Sequence, residues 1–514
     1  MDLPETAHSV WLDSVPAPAF PALAGDKRVD VAIIGAGITG LTTALYLARA
    51  GKSVAILERG RVAGGVTGFT TAHLTEAVDT RYRTLVSDFG VDGAKRVLQS
   101  SREAIASIER ISSEEGLACG FRRLPGYLYS ESEGNEDIKE EAEALQRMGV
   151  RMEVTADVPL AFARVGLRFE QQAQFHPLEY LVPLSRKLQA LGVVIFENTA
   201  VEEILEGEPH VLRTPTGDVQ ADHLVFAAHS PLSRILLQTK LARYQSYVLA
   251  FASRNKLPDA LFWDTEDPYH YLRGLDLGSE SLVIVGGEDH KTGQAEDTDA
   301  RYRALVDYTR KRFDLEVVRF KWSSQVIEPV DGLPYIGPTS KGATTYHATG
   351  YSGNGMTFGT LAASILADAV LGRANPYADL YSPDRIKPLA AAKDFVVENV
   401  DVPVHLAARG LKLLSAPSAD TVAPGGGDVV RHGGELLALY RDASGCAHAL
   451  SPVCPHMGCL VTFNRSERTW DCPCHGSRFG TDGKVIAGPA LKGLTPRDLE
   501  DDAPPGDEEM AVVT

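Results

Sequence analysis

The sequence predicts three folded parts: a doubly wound α/β nucleotide-binding domain, an α+β domain built around an antiparallel sheet, and a small all-β domain near the C-terminal end. Three observations carry this. A complete β-α-β unit with Gly35-x-Gly37-x-x-Gly40 lies near the start. Alternating strand-like runs such as 281–285 occur within residues 241–321. Further on, short strand pieces at 436–441 and 447–450 lead to Cys454-Pro455-His456 and then Cys472-Pro473-Cys474-His475. At 514 residues the chain is too long for a single core.

Composition bounds the function classes. The net charge of −17 disfavours nucleic acid and anionic membrane surfaces as partners. The first residues carry no basic n-region, apolar h-region or twin arginine, and no apolar run reaches membrane-spanning length. A cytoplasmic protein with no membrane contact is expected. Six cysteines do not make a secreted disulfide scaffold. Four fall in the C-terminal loops, which leaves Cys119 and Cys446 as packing residues.

Residues 1–27 read as an arm with little periodicity. Residues 29–34 form an apolar run of buried-strand length, 41–51 have helical patterning, and 53–57 make a second strand ending at Glu58. The glycines between them let backbone approach a pyrophosphate at a helix N-terminus. The candidate contacts there are Gly35, Gly37, Ile38, Thr39 and Gly40. Glu58, eighteen residues beyond Gly40 and followed by Arg59, is placed to accept hydrogen bonds from ribose hydroxyls. This fingerprint alone does not separate NAD from FAD.

More segments extend the pattern. Residues 60–71 are rich in glycine and threonine, and 192–201 and 217–228 read as strands. Asp331-Gly-Leu-Pro-Tyr-Ile-Gly337 and Thr349-Gly-Tyr-Ser-Gly-Asn-Gly-Met356 come before a helical pattern over 357–371. Over nearly all of 25–375 the chain resembles the flavin-dependent amine and amino-acid oxidoreductases of the D-amino-acid oxidase type. The resemblance implies a Rossmann-like FAD-binding domain in which Gly65, Thr67, Thr70 and Thr71 wrap the pyrophosphate. It implies Val201 near adenine, Ala228 on the strand returning to the nucleotide, and Gly337, Gly350, Gly353, Asn354, Gly355, Met356 and Thr357 in the last flavin-binding segment. Amides at the start of that helix suit the electron-rich carbonyl end of a reduced flavin, while a packing loop with glycines only for its turns is the plainer alternative. The flavin is expected to be non-covalent. Cys119 is the only cysteine of this half, and His73 lies several residues beyond the attachment histidine of related dehydrogenases.

On this basis residues 28–110, 150–240 and 322–375 build a discontinuous FAD-binding domain, and 111–149 with 241–321 a substrate and cap domain. Helical patterning across 77–146 gives cap helices. Tyr269, Tyr271 and Arg273, flanking His270, are candidate pocket-wall residues, with a half-exposed strand face as the bland alternative. The family resemblance also exposes departures. Thr357 stands where sarcosine-oxidase-like members bind substrate carboxylate with a lysine, and their arginine is not evident at Thr71-Ala72-His73-Leu74. The lysine that helps such oxidases react with oxygen falls at Gly286.

In the C-terminal part, two thiolates on one iron and two imidazoles on the other are what a Rieske [2Fe–2S] cluster requires. Cys454 and Cys472 are assigned to one iron, His456 and His475 to the other. A Cys₂His₂ zinc site needs the same residue types, but its usual spacing groups cysteines apart from histidines, whereas each loop here carries one of each. With C-P-H-M-G-C, C-P-C-H-G-S and Gly488-Pro489-Ala490, the stretch 411–494 resembles the Rieske family, an all-β domain. The resemblance implies a disulfide between Cys459 and Cys474 and a third loop carrying Pro489 over the cluster. High-potential members have a tyrosine at the place of Phe479, whereas Ser477 keeps their serine, so a lower potential than theirs is expected. Residues 376–410 read as a linker with a helical stretch at 390–399, 411–497 as the Rieske domain, and 498–514 as an acidic tail.

Two redox centres in one chain imply electron transfer between them. The expected function is that of an FAD-dependent dehydrogenase of an amine or amino-acid-like small molecule. Electrons would pass from reduced FAD to the cluster and on to an external acceptor protein. Two alternatives stay open: a reductase running electrons from a carrier through cluster and flavin to a substrate, and a non-catalytic redox sensor. A Rieske dioxygenase is disfavoured, because the remaining histidines form no evident two-His-one-carboxylate set.

Overall fold

The computed structural model describes residues 3–4, 6–232, 235–278, 280–295, 297–385 and 415–499. The linker beyond Arg385, the helical stretch expected at 390–399 and the acidic tail beyond Leu499 lie outside these residues.

The strand Lys27–Ile34 is buried from Val31 onward, as a central parallel strand must be. It runs parallel to Gly217–Phe226 on one side and to Val54–Leu57 on the other. Val194–Phe196 extends the sheet beyond Val54–Leu57, and Thr345–Thr349 extends it beyond Gly217–Phe226. Tyr335–Pro338 closes that edge antiparallel. The helix Ile38–Arg49 leaves the first strand through the glycine turn, with Gly37 as its extended N-cap. The helix Gly355–Val370 is apolar nearly all round and correspondingly buried.

The second sheet is antiparallel except where Leu261–Asp264 lies parallel to Arg122–Ser130. Its order is Leu315–Pro329, Leu241–Ser253, Ser281–Lys291, His270–Asp276, Leu261–Asp264, Arg122–Ser130, Val165–Gln174, His73–Leu74. This corrects the sequence-based boundaries. Glu153–Thr155 and Val165–Gln174 pair into this sheet, although 150–240 was expected in the FAD-binding domain. Leu315–Pro329 runs unbroken across the boundary set at 321 and 322. Arg122–Ser130 is a strand between the helices Tyr82–Glu114 and Glu136–Arg147, within the stretch expected to be helical. It is buried on both faces, so it lacks the alternation that separates strand from helix in a short window.

Residues 9–14 of the N-terminal arm pack onto the fold. Ser9 caps the short helix Val10–Ser14, and Trp11 is wholly buried. The Trp11 indole Nε1 donates to the carbonyl of Thr70 at 2.6 Å, and its ring meets His176 edge-on at 4.9 Å. The arm therefore clamps the glycine- and threonine-rich segment from outside.

The third part contains two four-stranded antiparallel sheets, with Trp470 and Phe479 buried in the core that surrounds the cluster cysteines. It packs against the second sheet and its helix Asp299–Arg312. Ser466 Oγ donates to Asp299 at 2.6 Å, Tyr302 donates to Glu467 at 3.0 Å, and Thr462 Oγ1 donates to the Gly293 carbonyl at 2.8 Å. No helix among the described residues is long and apolar enough to cross a membrane.

Truncating the clamp in Trp11→Ala is expected to cost about 3–5 kcal/mol, as for other buried large-to-small changes. A lower urea midpoint for unfolding of the flavin half is the readout, and an unchanged midpoint would mean the arm is not part of the fold.

Candidate active site and metal centre

A cavity of about 1320 Å³ is lined by the glycine turn, the second sheet and the third domain. Gly35, Gly37, Ile38 and Thr39 form part of its wall. Gly35 has φ 106, and a Cβ on it would lie 2.5 Å from the Ala227 carbonyl oxygen. A Cβ on Gly40 would collide with the Gly35 carbonyl, so the helix starts directly against the turn. Glu58 also faces the cavity, and its carboxylate accepts from the amides of Ala36 and Gly60, each at 2.8 Å. Burial pushes the Glu58 carboxyl up, while those two amides oppose the shift. A bare-backbone turn beside a fixed carboxylate is the cradle a dinucleotide fits.

Of the other expected contacts, Arg59, Gly65, Thr67, Thr70, Thr71, Ala228, Gly353, Asn354, Gly355 and Met356 line the same cavity. Five do not. Gly40 packs behind the turn, and Val201 joins the apolar core while its neighbours Ala200 and Glu202 face the cavity. Gly337 abuts Pro383, and Gly350 abuts Leu241 and Pro329. Thr357 is buried, with Oγ1 3.4 Å from the Thr75 carbonyl it donates to.

Tyr269 and Tyr271 are cavity residues, as expected, with ring centroids 5.7 Å apart and Trp263 beside them on the wall. The Tyr271 hydroxyl lies 2.9 Å from Ser246 Oγ. Arg273 is a correction. It does not line this cavity; its guanidinium donates to the Thr71 and Ala72 carbonyls at 3.1 and 2.9 Å and sits over the Trp11 ring. It fastens the glycine- and threonine-rich segment to the second sheet. His73 is held on both ring nitrogens, by Thr71 Oγ1 and the Leu272 carbonyl at 3.1 Å each. Burial and then the Arg273 charge bring it down to about 3, so it is neutral. Cys119 is buried away from this cavity, 3.4 Å from Ser112.

Two cavity residues have no sequence signal. Asp79 accepts from the Gly353 amide, and Arg81 Nη2 donates to the Asp264 carbonyl at 3.2 Å. Both stand in the loop before the helix Tyr82–Glu114, where polar residues are ordinary, and only the fold carries that loop to the flavin segment. Burial pushes the Asp79 carboxyl up, with the Arg81 charge opposing it.

The two cysteine–histidine loops are built alike. Gly458 donates to the Cys454 carbonyl and Gly476 to the Cys472 carbonyl, both at 2.9 Å. Cys454 in turn donates to the Cys459 carbonyl and Cys472 to the Ser477 carbonyl, both at 2.8 Å. The result brings Cys454, Cys472, His456 and His475 together, with the imidazoles edge-to-face at 4.9 Å. The Nδ1 atoms of His456 and His475 are buried with no hydrogen-bond partner. Two orphaned imidazole nitrogens beside two free buried thiols fit a metal cluster, which would take up their lone pairs. Cys459 and Cys474 form the expected disulfide. Ser477 Oγ accepts from the Ala490 amide at 3.0 Å, tying the loop of Pro489 to the cluster loops.

The two sites adjoin. Gln325 lines the cavity, and its Nε2 donates to the Gly476 carbonyl at 2.8 Å, one residue from His475. Arg59 reaches the Val485 carbonyl at 3.2 Å, and residues 482–488 of the third domain form cavity wall. Cys472→Ala is expected to abolish the roughly two irons per chain that a [2Fe–2S] cluster brings while leaving bound flavin unchanged. Iron and flavin analyses of the same sample test it, and retained iron would refute the ligand set.

Comparison with known proteins agrees with this geometry. Residues 30–369 match the family described as FAD dependent oxidoreductase, and residues 413–497 match the Rieske [2Fe-2S] domain. A Bacillus subtilis protein described as putative Rieske 2Fe-2S iron-sulfur protein YhfW is 33% identical over 502 residues, 96% of this chain and 98% of that one. The γ-glutamylputrescine oxidoreductase of Escherichia coli is 24% identical over 70% of this chain and 87% of its own. Glycine oxidase from Geobacillus kaustophilus has the same fold, with a TM-score of 0.58 and 19% identity over 70% of this chain and 99% of its own. The chain belongs to the FAD-dependent oxidoreductase family, carries a Rieske [2Fe–2S] domain behind it, and takes FAD and the cluster as its cofactors.

Proposed function

We propose that the protein is a dehydrogenase of an amino-acid-like amine whose electrons pass from FAD to the cluster and then to an external acceptor protein. Gln325 carries the proposal: one side chain lines the flavin cavity and holds the loop of His475. FAD accepts a hydride from a C–H beside nitrogen, and the cluster carries electrons singly.

The protein supplies binding and exclusion of water. Gly35, Gly37, Ile38 and Thr39 would hold the pyrophosphate and Glu58 the ribose, with the non-covalent flavin extending to Gly353, Asn354, Gly355 and Met356. Trp263, Tyr269 and Tyr271 make an aromatic wall for the substrate. Arg81 supplies the cation that Thr357 does not. It is a cavity residue whose Nη2 donates to a backbone carbonyl, which leaves donors for a substrate carboxylate. The named activities of the E. coli and Geobacillus relatives, on a γ-glutamyl amine and on glycine, favour the same substrate class.

The choice of dehydrogenase over oxidase rests on Gly286. It pairs across the sheet with Tyr271, and a Cβ there would collide with the Tyr271 ring. By the family resemblance this is the place of the oxygen-activating lysine, and glycine brings no side chain to it.

Amines and amino acids screened under anaerobic conditions are expected to bleach the flavin and to turn over with a one-electron acceptor. Stoichiometric hydrogen peroxide at the full turnover rate would overturn the dehydrogenase reading. With the substrate so identified, Arg81→Met is expected to raise KM about 10- to 100-fold with kcat little changed, the loss of one charge-assisted contact of about 1.5–3 kcal/mol. An unchanged KM would remove Arg81 from the substrate site.

A further inference from the structure

Beside the cluster loops lies a buried cation with no acidic partner. Arg243, on the strand Leu241–Ser253, is 6% exposed. Its guanidinium donates to the Leu241 carbonyl at 3.1 Å, to Ser230 Oγ at 3.3 Å and to the side-chain carbonyl of Gln238. These acceptors and the Gln238 backbone carbonyl, 3.5 Å from Nη1, are all neutral, and Nε has no partner. Among the described residues, no carboxylate is hydrogen-bonded to its guanidinium. A guanidinium keeps its proton in a protein, so Arg243 is charged at neutral pH.

The stem of the same side chain lies against the cluster loop. A Cβ on Gly476 would lie 2.8 Å from Arg243 Cβ and 2.9 Å from its Cγ. Gly476 has φ 63, so the loop both needs glycine for its turn and uses the bare Cα to approach Arg243. Gly476 follows the cluster ligand His475 directly, so this contact sets Arg243 beside the ligand loop. Arg243 does not line the flavin cavity, so it is not a substrate or pyrophosphate contact.

An unpaired buried guanidinium is costly unless negative charge comes to it. Two thiolates neutralise the oxidised cluster core, the imidazoles being neutral ligands, so one added electron leaves the site with one net negative charge. We propose that Arg243 sets the potential of the cluster, its fixed positive charge stabilising the reduced form and so making the cluster the acceptor in exchange with the flavin. The direction of exchange rests on the function proposed above; the effect on potential does not. The electron converts one ferric iron to ferrous, and no bond to the protein forms or breaks. Arg243 thus offsets Phe479, which lacks the hydroxyl that high-potential relatives direct at the cluster.

The test is an EPR-monitored potentiometric titration of the full chain with both cofactors bound. Arg243→Gln is expected to lower the reduced-to-oxidised ratio of the cluster at a fixed ambient potential tenfold or more, about 59 mV for one electron. Arg243→Lys keeps the charge and is expected to retain most of the wild-type potential. Ser230→Asp keeps Arg243 but sets a carboxylate beside its guanidinium, and is expected to lower the potential in the same direction. This second arm decides the matter if Arg243→Gln loads no iron. Wild-type potential in a loaded Arg243→Gln or Ser230→Asp would overturn the inference, as would an equal fall in Arg243→Lys. A wild-type cluster that stays oxidised beside reduced flavin would instead strike the proposed electron path, leaving the potential shifts to stand or fall alone.

Discussion

The bond from Gln325 to the Gly476 carbonyl is the contact on which the two-cofactor arrangement depends. One end belongs to a strand of the second sheet that is also cavity wall, and the other to the backbone between a cluster ligand and its supporting serine. A backbone carbonyl as acceptor makes the contact indifferent to side-chain identity in the loop, so the requirement falls on Gln325 and on the fold that delivers Gly476. Bonds from Thr462, Ser466 and Tyr302 also join the third domain to the second sheet and its helix. The third domain thereby does two things at once, holding a redox site and closing the wall of the flavin cavity.

The local parts of this design are legible in sequence because the chemistry is local. A pyrophosphate turn needs glycines at fixed spacing followed by a helix, and Gly35, Gly37 and Glu58 stand where that logic puts them. The cluster loops repeat one hydrogen-bonding pattern within six residues each, so both ligand pairs follow from short motifs, while the disulfide came from the family resemblance. Parts assembled over distance are less legible. Val201 and Arg273 were expected at sites and instead hold the core and the glycine- and threonine-rich segment. A one-residue shift separates Val201 from the cavity, because alternate residues of an extended segment face opposite ways. Arg273 looked like a pocket residue because it follows two tyrosines that are; its own length carries it past the sheet to the Thr71 and Ala72 carbonyls.

Burial of charge is the recurring physical theme. Glu58 stays in place because two amides meet its carboxylate, and Asp79 because Gly353 does. Arg81 and Arg243 are cations whose hydrogen bonds go to neutral acceptors, although the carboxylates of Glu141 and Asp79 stand near Arg81. One faces the cavity and the other the cluster loops, which are the two places where negative charge arrives from outside the polypeptide: a substrate carboxylate and an electron. Neither was visible in the sequence, since an arginine in a loop or on a strand carries no mark of what the fold withholds from it.

The most direct measurement is anaerobic photoreduction of the flavin in the loaded protein, followed by rapid freezing and EPR. The low-average g signal of the reduced cluster should grow as the flavin reoxidises, at a rate independent of protein concentration because both sites lie in one chain. Flavin that stays fully reduced beside an oxidised cluster, until dithionite or a second protein is added, would contradict electron transfer across the Gln325 contact.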